Sequence, residues 1–234
     1  MFKYKVIKNA ISYDLANFIF NYFLLKRDAA KFMYDNNIIH DNGMFGTWVD
    51  TQIPNTYSHY ADPVMETLLV KMLPVMKEQT GLDLIPTYSY ARAYKKGDEL
   101  KRHKDRFSCE ISTTMNLGGD PWPVYLEPNC TKGGWKENYV AYVSGETKGI
   151  EVNLKPGDML IYRGDAVEHW RDQLWGNNHA QVFLHYNEKD GQYDIPYDGR
   201  PLLGMPASLR NKDLLDVNEK KEEPNIEDNI RVIY

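Results

Sequence analysis

The sequence predicts a mainly β fold preceded by N-terminal α-helices, and three features of the 234-residue chain point to it. The apolar residues recur at helical spacing up to Gly81 and at a period of two from Ile85 onward. The second half breaks into short runs rich in Tyr, Val, Ile and Thr, separated by turn signals. A hydrophobic share of 42% beside 26% charged residues supports one substantial core in a globular chain. Several short strands at this spacing indicate a sandwich or jelly-roll.

The first helix is expected from Ser12, a suitable N-cap, with Asp14 in the first turn favouring the helix dipole. Leu15, Ile19, Tyr22, Phe23 and Phe32 follow near helical spacing and read as its core face. The second helix starts after Asp62 with Pro63 at its first position and runs to Gly81. Val64, Leu68, Met72 and Val75 form its stripe, and Pro74 is expected to kink or interrupt it. Two helices ahead of such a sheet would cover its outer face. The strands then follow as TYSYARAY, EISTTMNL, PVYLEP, GIEVNL, DMLIYRG and HAQVFLHYN, divided by KKGD, GGDPWP, KPGD and GNN. Residues 129–146 read as a long loop, a lid or an irregular hairpin. The charged tail from Asn211 is expected to be mobile or weakly docked, with IRVIY as a short closing strand.

A net charge of −5 supplies no strong field toward nucleic acid or anionic membrane. Lys95, Lys96, Lys101, Arg102, Lys104 and Arg106 make a local basic patch, either a solvated edge or a substrate-attracting rim. Only Cys109 and Cys130 are present, which suggests a reducing compartment, and Cys109 reads as a small core residue. The segment MFKYKVIKNA lacks an apolar h-region, and no run reaches the ~18 apolar residues of a membrane span. A cytoplasmic protein is expected, with no nucleic-acid or membrane partner.

Among six histidines, His103 is the informative one, because Asp105 follows it at i+2. On a strand, i and i+2 point to the same face, so an imidazole and a carboxylate converge on one ion. A third ligand must come from elsewhere, and His169, after the KPGD turn and the run DMLIYRGDAVE, is the best placed. Two histidines and one carboxylate on one face of an octahedral ion leave positions open. That is the arrangement of non-haem iron(II) oxygenases.

The stretches YARAYKKGDELKRHKDRFSCEISTTMNL, KPGDMLIYRGDAVEHWRD and HAQVFLHYN resemble the 2-oxoglutarate- and iron(II)-dependent oxygenases, prolyl 4-hydroxylase-like branch. The likeness spans about residues 85–190. It implies a double-stranded β-helix, a distorted jelly-roll with the metal in its open mouth. It further implies a single oxygenase domain over 1–210, with helical support at about 1–84, a β-helix core at about 85–190 and a charged tail at 211–234. Fe(II), 2-oxoglutarate and dioxygen would be used to hydroxylate a C–H bond, releasing succinate and carbon dioxide. His103, Asp105 and His169 match the iron ligands, and Tyr94 matches a tyrosine that bonds the far carboxylate of 2-oxoglutarate.

The chain departs from that pattern at His179, where relatives carry a lysine or arginine. Arg171, in phase with His169 on an extended segment, is the rival anchor for the carboxylate. Thr114 is placed to touch the co-substrate. Arg106 is placed at the substrate mouth or in an exposed ion pair, and Trp122, Trp135, Trp170 and Trp175 are expected in core or lid packing. The resemblance favours a prolyl or other peptidyl substrate. A free amino acid or small metabolite is the alternative, favoured by a deep, enclosed mouth. A jelly-roll that binds metal or ligand without turnover is the reading from a different class, and its support is the histidine at position 179.

Overall fold

The computed structural model of the chain describes residues 3–40, 43–129, 134–135 and 142–211. Cys130, most of the 129–146 loop, the tail beyond Asn211 and its IRVIY strand lie outside the described residues.

The first long element is α1 (Tyr13–Asp35), and Ser12 caps it by accepting from the Leu15 amide. Its buried face is Ala16, Ile19, Phe23 and Ala30. Phe32, expected in the core, is exposed, because the helix rotates its outer face past that position. The second helix, α2 (Pro63–Thr80), is capped by Asp62, whose Oδ1 accepts from the amides of Val64 and Met65. It ends at Gly81, which is left-handed at φ 73°, a conformation that costs glycine little. Pro74 does not interrupt α2. It sits on the solvent face with Val70, so the carbonyl it leaves without an amide faces water.

The strands form two facing sheets, a double-stranded β-helix. The larger has the order β1 (Tyr4–Ile7), β10 (Met159–Tyr162), β5 (Ile111–Gly119), β12 (Asn178–Glu188), β3 (Leu84–Lys95), β2 (Tyr57–Tyr60). The smaller has β4 (Leu100–His103), β11 (Glu168–Arg171), β6 (Val124–Glu127) and β9 (Ile150–Val152). A short antiparallel pair, β7 (Gly134–Trp135) with β8 (Tyr142–Val143), shows that the 129–146 region contains a hairpin. The N-terminal third also supplies β1 and β2, the two edges of the large sheet.

Both helices pack on the outer face of the large sheet, as expected. Ile19, Phe23, Met65, Leu69, Met72 and Met76 meet Ala91, Ala93, Met115, Val182 and Leu184 in one buried cluster. Strand alternation then turns the intervening residues toward the smaller sheet. Those are Tyr88, Tyr90, Arg92 and Tyr94 on β3, Ser112 and Thr114 on β5, and His179, Gln181, Phe183 and His185 on β12. Register aligns the three strands. His179 lies opposite Tyr94, Phe183 opposite Tyr90 and Thr114, and His185 opposite Tyr88 and Ser112. One close approach depends on Gly119, where a Cβ would meet the Asn178 carbonyl at 2.6 Å and His179 Cα at 2.8 Å. Among the described residues, no helix is long and apolar enough to cross a membrane.

Candidate metal centre and active site

Antiparallel pairing of β4 with β11 sets His103 directly opposite His169. The HxD carboxylate follows at the end of β4, where the Asp105 amide donates to the Gly164 carbonyl at 2.8 Å. Asp105 Oδ1 then lies 3.5 Å from His103 Nε2 and 3.3 Å from His169 Nε2. Each imidazole is held by its other nitrogen. His103 Nδ1 meets the Lys101 carbonyl at 2.7 Å, and His169 Nδ1 meets the Val167 carbonyl at 3.0 Å. A proton on Nδ1 leaves the Nε2 lone pair aimed at the shared point, the usual orientation of a metal-bound histidine. The ligand atoms of the three residues all lie within 4.8 Å of one another. Two nitrogens and one carboxylate oxygen at the wall of a cavity fit a divalent first-row ion with positions left open.

Burial pushes the Asp105 carboxyl up, but the charge of His169 and the bonds from both histidines outweigh it and hold it well below the usual range. Burial also lowers His103, and the neighbouring His169 lowers it further. For His169 burial acts downward, yet Asp105 raises it above its ordinary value. The carboxylate is further fixed by Ser112, whose Oγ donates to Oδ2 at 3.1 Å. Tyr162 closes one side, its ring centroid 4.7 Å from that of His169.

Deeper between the sheets, Arg171, Tyr94, His179 and Trp122 come together. The Arg171 guanidinium is 2% exposed and lies 4.8 Å over the Trp122 ring. It donates to the Trp122 carbonyl, and the groups that act on its charge are the phenols Tyr94 and Tyr162, not a carboxylate. Trp122 packs edge-on against Tyr94 at 4.7 Å and His179 at 5.6 Å. The Tyr94 hydroxyl and His179 Nε2 are buried with no hydrogen-bond partner at bonding distance. A permanent cation beside a lone hydroxyl donor fits a small carboxylate. Burial lowers Arg171 to about 10, so it stays charged at neutral pH. Burial, reinforced by the Arg171 charge, pushes His179 down to about 3. His179 is therefore neutral. Its Nδ1 donates to the Asp120 carbonyl at 2.8 Å, so Nε2 is an acceptor, the wrong polarity for a carboxylate. Thr114 lies on the same inner face, and its Oγ1 accepts from Gln181 Nε2 at 2.6 Å.

The triad opens on a cavity of about 700 Å³. Tyr60, Tyr88 and Tyr90 form one wall, and Tyr60 stacks on Tyr88 at 4.9 Å. The segment from Gly43 to Gln52 lies across it. Asp50 is pinned by Arg92 and by Tyr90, whose hydroxyl donates at 2.5 Å. Gln52 donates from Nε2 to His103 Nε2 at 3.1 Å while its Oε1 accepts from Arg92 at 2.6 Å. Asp50, Gln52, Arg92 and His185 were not legible as site residues, because what brings them to the mouth is loop closure and sheet register.

The basic run does not form a continuous rim. Lys95 pairs with Asp98, Arg102 with Glu168 and Arg106 with Asp198, although Lys104 and Arg106 do line the cavity. Cys109 lies in a 3-10 turn just before β5, buried as expected, and it also lines the cavity wall. Trp170 stacks on Tyr125 away from the site, and Trp175 is exposed. The Trp135 side chain lies outside the described residues.

No protein-family model matches the chain, and no curated protein matches it in sequence. Solved structures do match. The chain superposes on EctD from S. alaskensis with bound Fe at a TM-score of 0.56, with 16% identity over 89% of this chain and 82% of that one. HygX from Streptomyces hygroscopicus, with nickel and 2-oxoglutarate bound, gives 0.53, with 15% identity over 89% and 90%. The non-heme alpha ketoglutarate dependent epimerase SnoN from nogalamycin biosynthesis gives 0.52, with 10% identity over 80% and 78%. At these identities the likeness establishes the fold, the one the motif resemblance implied.

Proposed function

We propose that the chain is an Fe(II)- and 2-oxoglutarate-dependent oxygenase that hydroxylates a C–H bond. The observation that carries this reading is the pairing of two sites in one interior. A His103–Asp105–His169 donor set faces a cavity, and an unpaired buried guanidinium, Arg171, lies beyond it. That HygX holds nickel with 2-oxoglutarate, and EctD holds Fe, on the same fold supports the assignment. When bound, Fe(II), 2-oxoglutarate and dioxygen would supply the oxidising chemistry, with succinate and carbon dioxide released.

The chain's own residues bind and orient. His103, Asp105 and His169 would hold the ion. Arg171 would anchor the far carboxylate of 2-oxoglutarate, with the Tyr94 hydroxyl as a second donor. His179 would accept, not donate, and so the missing lysine or arginine at 179 is offset by Arg171 from β11 in the facing sheet. Leu100, Tyr162 and Phe183 line the cavity and would exclude water from the co-substrate.

For the primary substrate the volume of the cavity favours a small molecule over a prolyl or other peptidyl residue. A cavity of about 700 Å³, lined on one side by residues of the 43–52 segment, is within the range of small-molecule sites. HygX has also been crystallised with hygromycin B bound.

Anaerobic titration of the Fe(II) protein with 2-oxoglutarate tests the assignment. The expected result is a visible metal-to-ligand charge-transfer band in the wild type that is lost in Asp105→Ala. Bound iron without such a band would return the chain to the non-catalytic, ligand-binding reading.

A further inference from the structure

A second group of metal-binding side chains adjoins the first. Asp105, Cys109 and His185 offer a carboxylate oxygen, a thiol sulfur and an imidazole nitrogen that all lie within 4.8 Å of one another. Cys109 and His185 are both buried, and both line the cavity. His185 Nδ1 meets Ser112 Oγ at 2.9 Å. That contact holds the imidazole in place beside Asp105 and Cys109. The Cys109 sulfur is 3.0 Å from the Tyr88 hydroxyl, a neutral partner that a metal can displace.

The two carboxylate oxygens of Asp105 point to different places. Oδ1 faces His103 and His169, whereas Oδ2 faces Ser112 and the His185 side. Gly164 packs closely against this side of the carboxylate, where a Cβ would run into Asp105 Oδ2, Ser112 Oγ and the Cys109 carbonyl.

We propose that Cys109, His185 and Asp105 Oδ2 form a second metal position, selective for a thiophilic dication such as Zn(II), with Asp105 bridging it to the His103–His169 site. Tetrahedral Zn(II), with bonds of about 2.0–2.3 Å, separates its ligand atoms by roughly 3.3–3.7 Å, so the cluster contracts by at most about 1.5 Å on binding. The Cys109 proton leaves to solvent as the metal–sulfur bond forms. A soft S/N/O set and a harder N/N/O set sharing one carboxylate differ in metal preference. Occupancy of the soft position draws charge from Asp105, so Zn(II) weakens iron binding next door without competing for either iron-binding histidine. This inference stands whether or not the neighbouring site turns over 2-oxoglutarate.

Cobalt(II) is the probe, because a cobalt–thiolate bond gives an intense near-ultraviolet charge-transfer band that nitrogen and oxygen ligands lack. The full chain, chelated and kept anaerobic, is titrated with Co(II). Two equivalents are expected to bind, one of them with the sulfur band. Cys109→Ser should lose that band and keep the weaker visible absorption of cobalt at the other site. His103→Ala should do the reverse, and His185→Ala should weaken the thiolate site by at least ~10-fold. Thermal melts of each variant show that it is folded. Cobalt bound without a sulfur band in the wild type overturns the proposal, and so does a band that survives Cys109→Ser and disappears with Cys130→Ser. A missing charge-transfer band with 2-oxoglutarate, beside an intact cobalt–sulfur band, would remove the oxygenase reading and leave this one standing.

Discussion

On β12, Ala180, Val182, Leu184 and Tyr186 point at the helices, while their immediate neighbours His179, Gln181, Phe183 and His185 point between the sheets. Both sets are buried, and their chemistry is opposite. The helix side closes on itself. Its apolar side chains interlock with α1 and α2, and its one phenol, Tyr186, donates to the Leu69 carbonyl at 2.7 Å. The inner side leaves Tyr94 Oη, His179 Nε2 and Gln181 Oε1 without partners around an unpaired Arg171. Each buried orphan costs about 1–3 kcal/mol, so the inner face is destabilising until a ligand meets it. The first face holds the fold, and the second holds a site at the expense of stability.

The contrast breaks most completely at Asp105. Asp105→Ala is expected to reduce iron-dependent consumption of 2-oxoglutarate to background while the thermal midpoint stays within a few degrees. Unchanged turnover would remove the metal assignment. On the opposite face, Leu69→Ala should destabilise the chain by about 2–5 kcal/mol in chemical denaturation. Iron and 2-oxoglutarate affinity should not change at temperatures where it is folded, and a parallel loss of affinity would show that the faces are not independent.

Arg171→Ala sharpens the inner face. It should raise the 2-oxoglutarate concentration needed for half-saturation on the order of 100-fold, as expected for a buried charge partner worth about 3 kcal/mol. His179→Ala should raise it less than ~10-fold. Equal effects would mean that His179 carries charge in the complex.

The smallest effect lies at the rim, where Asp198 accepts from Tyr60 at 2.7 Å and pairs with Arg106. Burial pushes Asp198 up, but Arg106, Arg210 and Tyr60 outweigh it and hold it at about 2. The folded value lies below the ordinary ~3.9, so its stabilisation is present above about pH 4 and is lost as the pH falls through about 2. That amounts to roughly 2.5 kcal/mol. Asp198→Asn should flatten this part of the acid limb, and denaturation followed from pH 5 to 2 measures it.

The sequence by itself determined the β-rich class and both helix caps, and it named His103, Asp105 and His169, the side chains the fold brings together. These are properties of one segment at a time. The i, i+2 spacing keeps His103 and Asp105 close although β4 ends at His103, and Ser12, Pro63 and Gly81 act on their own backbone turns. Strands β1 and β2 escaped notice because YKVI and YSHY are too short to show a period, and their pairing with β10 and β3 comes from distant residues.

Only the tertiary structure distinguishes Arg171 from His179, since phase placed both inward. The register beside Asp120 and Trp122 made one a charged donor and the other a neutral acceptor. It likewise brought Asp50 and Gln52 over the mouth and set Cys109 against His185. The physical reason is that charge state and hydrogen-bond polarity depend on desolvation and on partners across the sheet. Both are long-range quantities that no local period encodes.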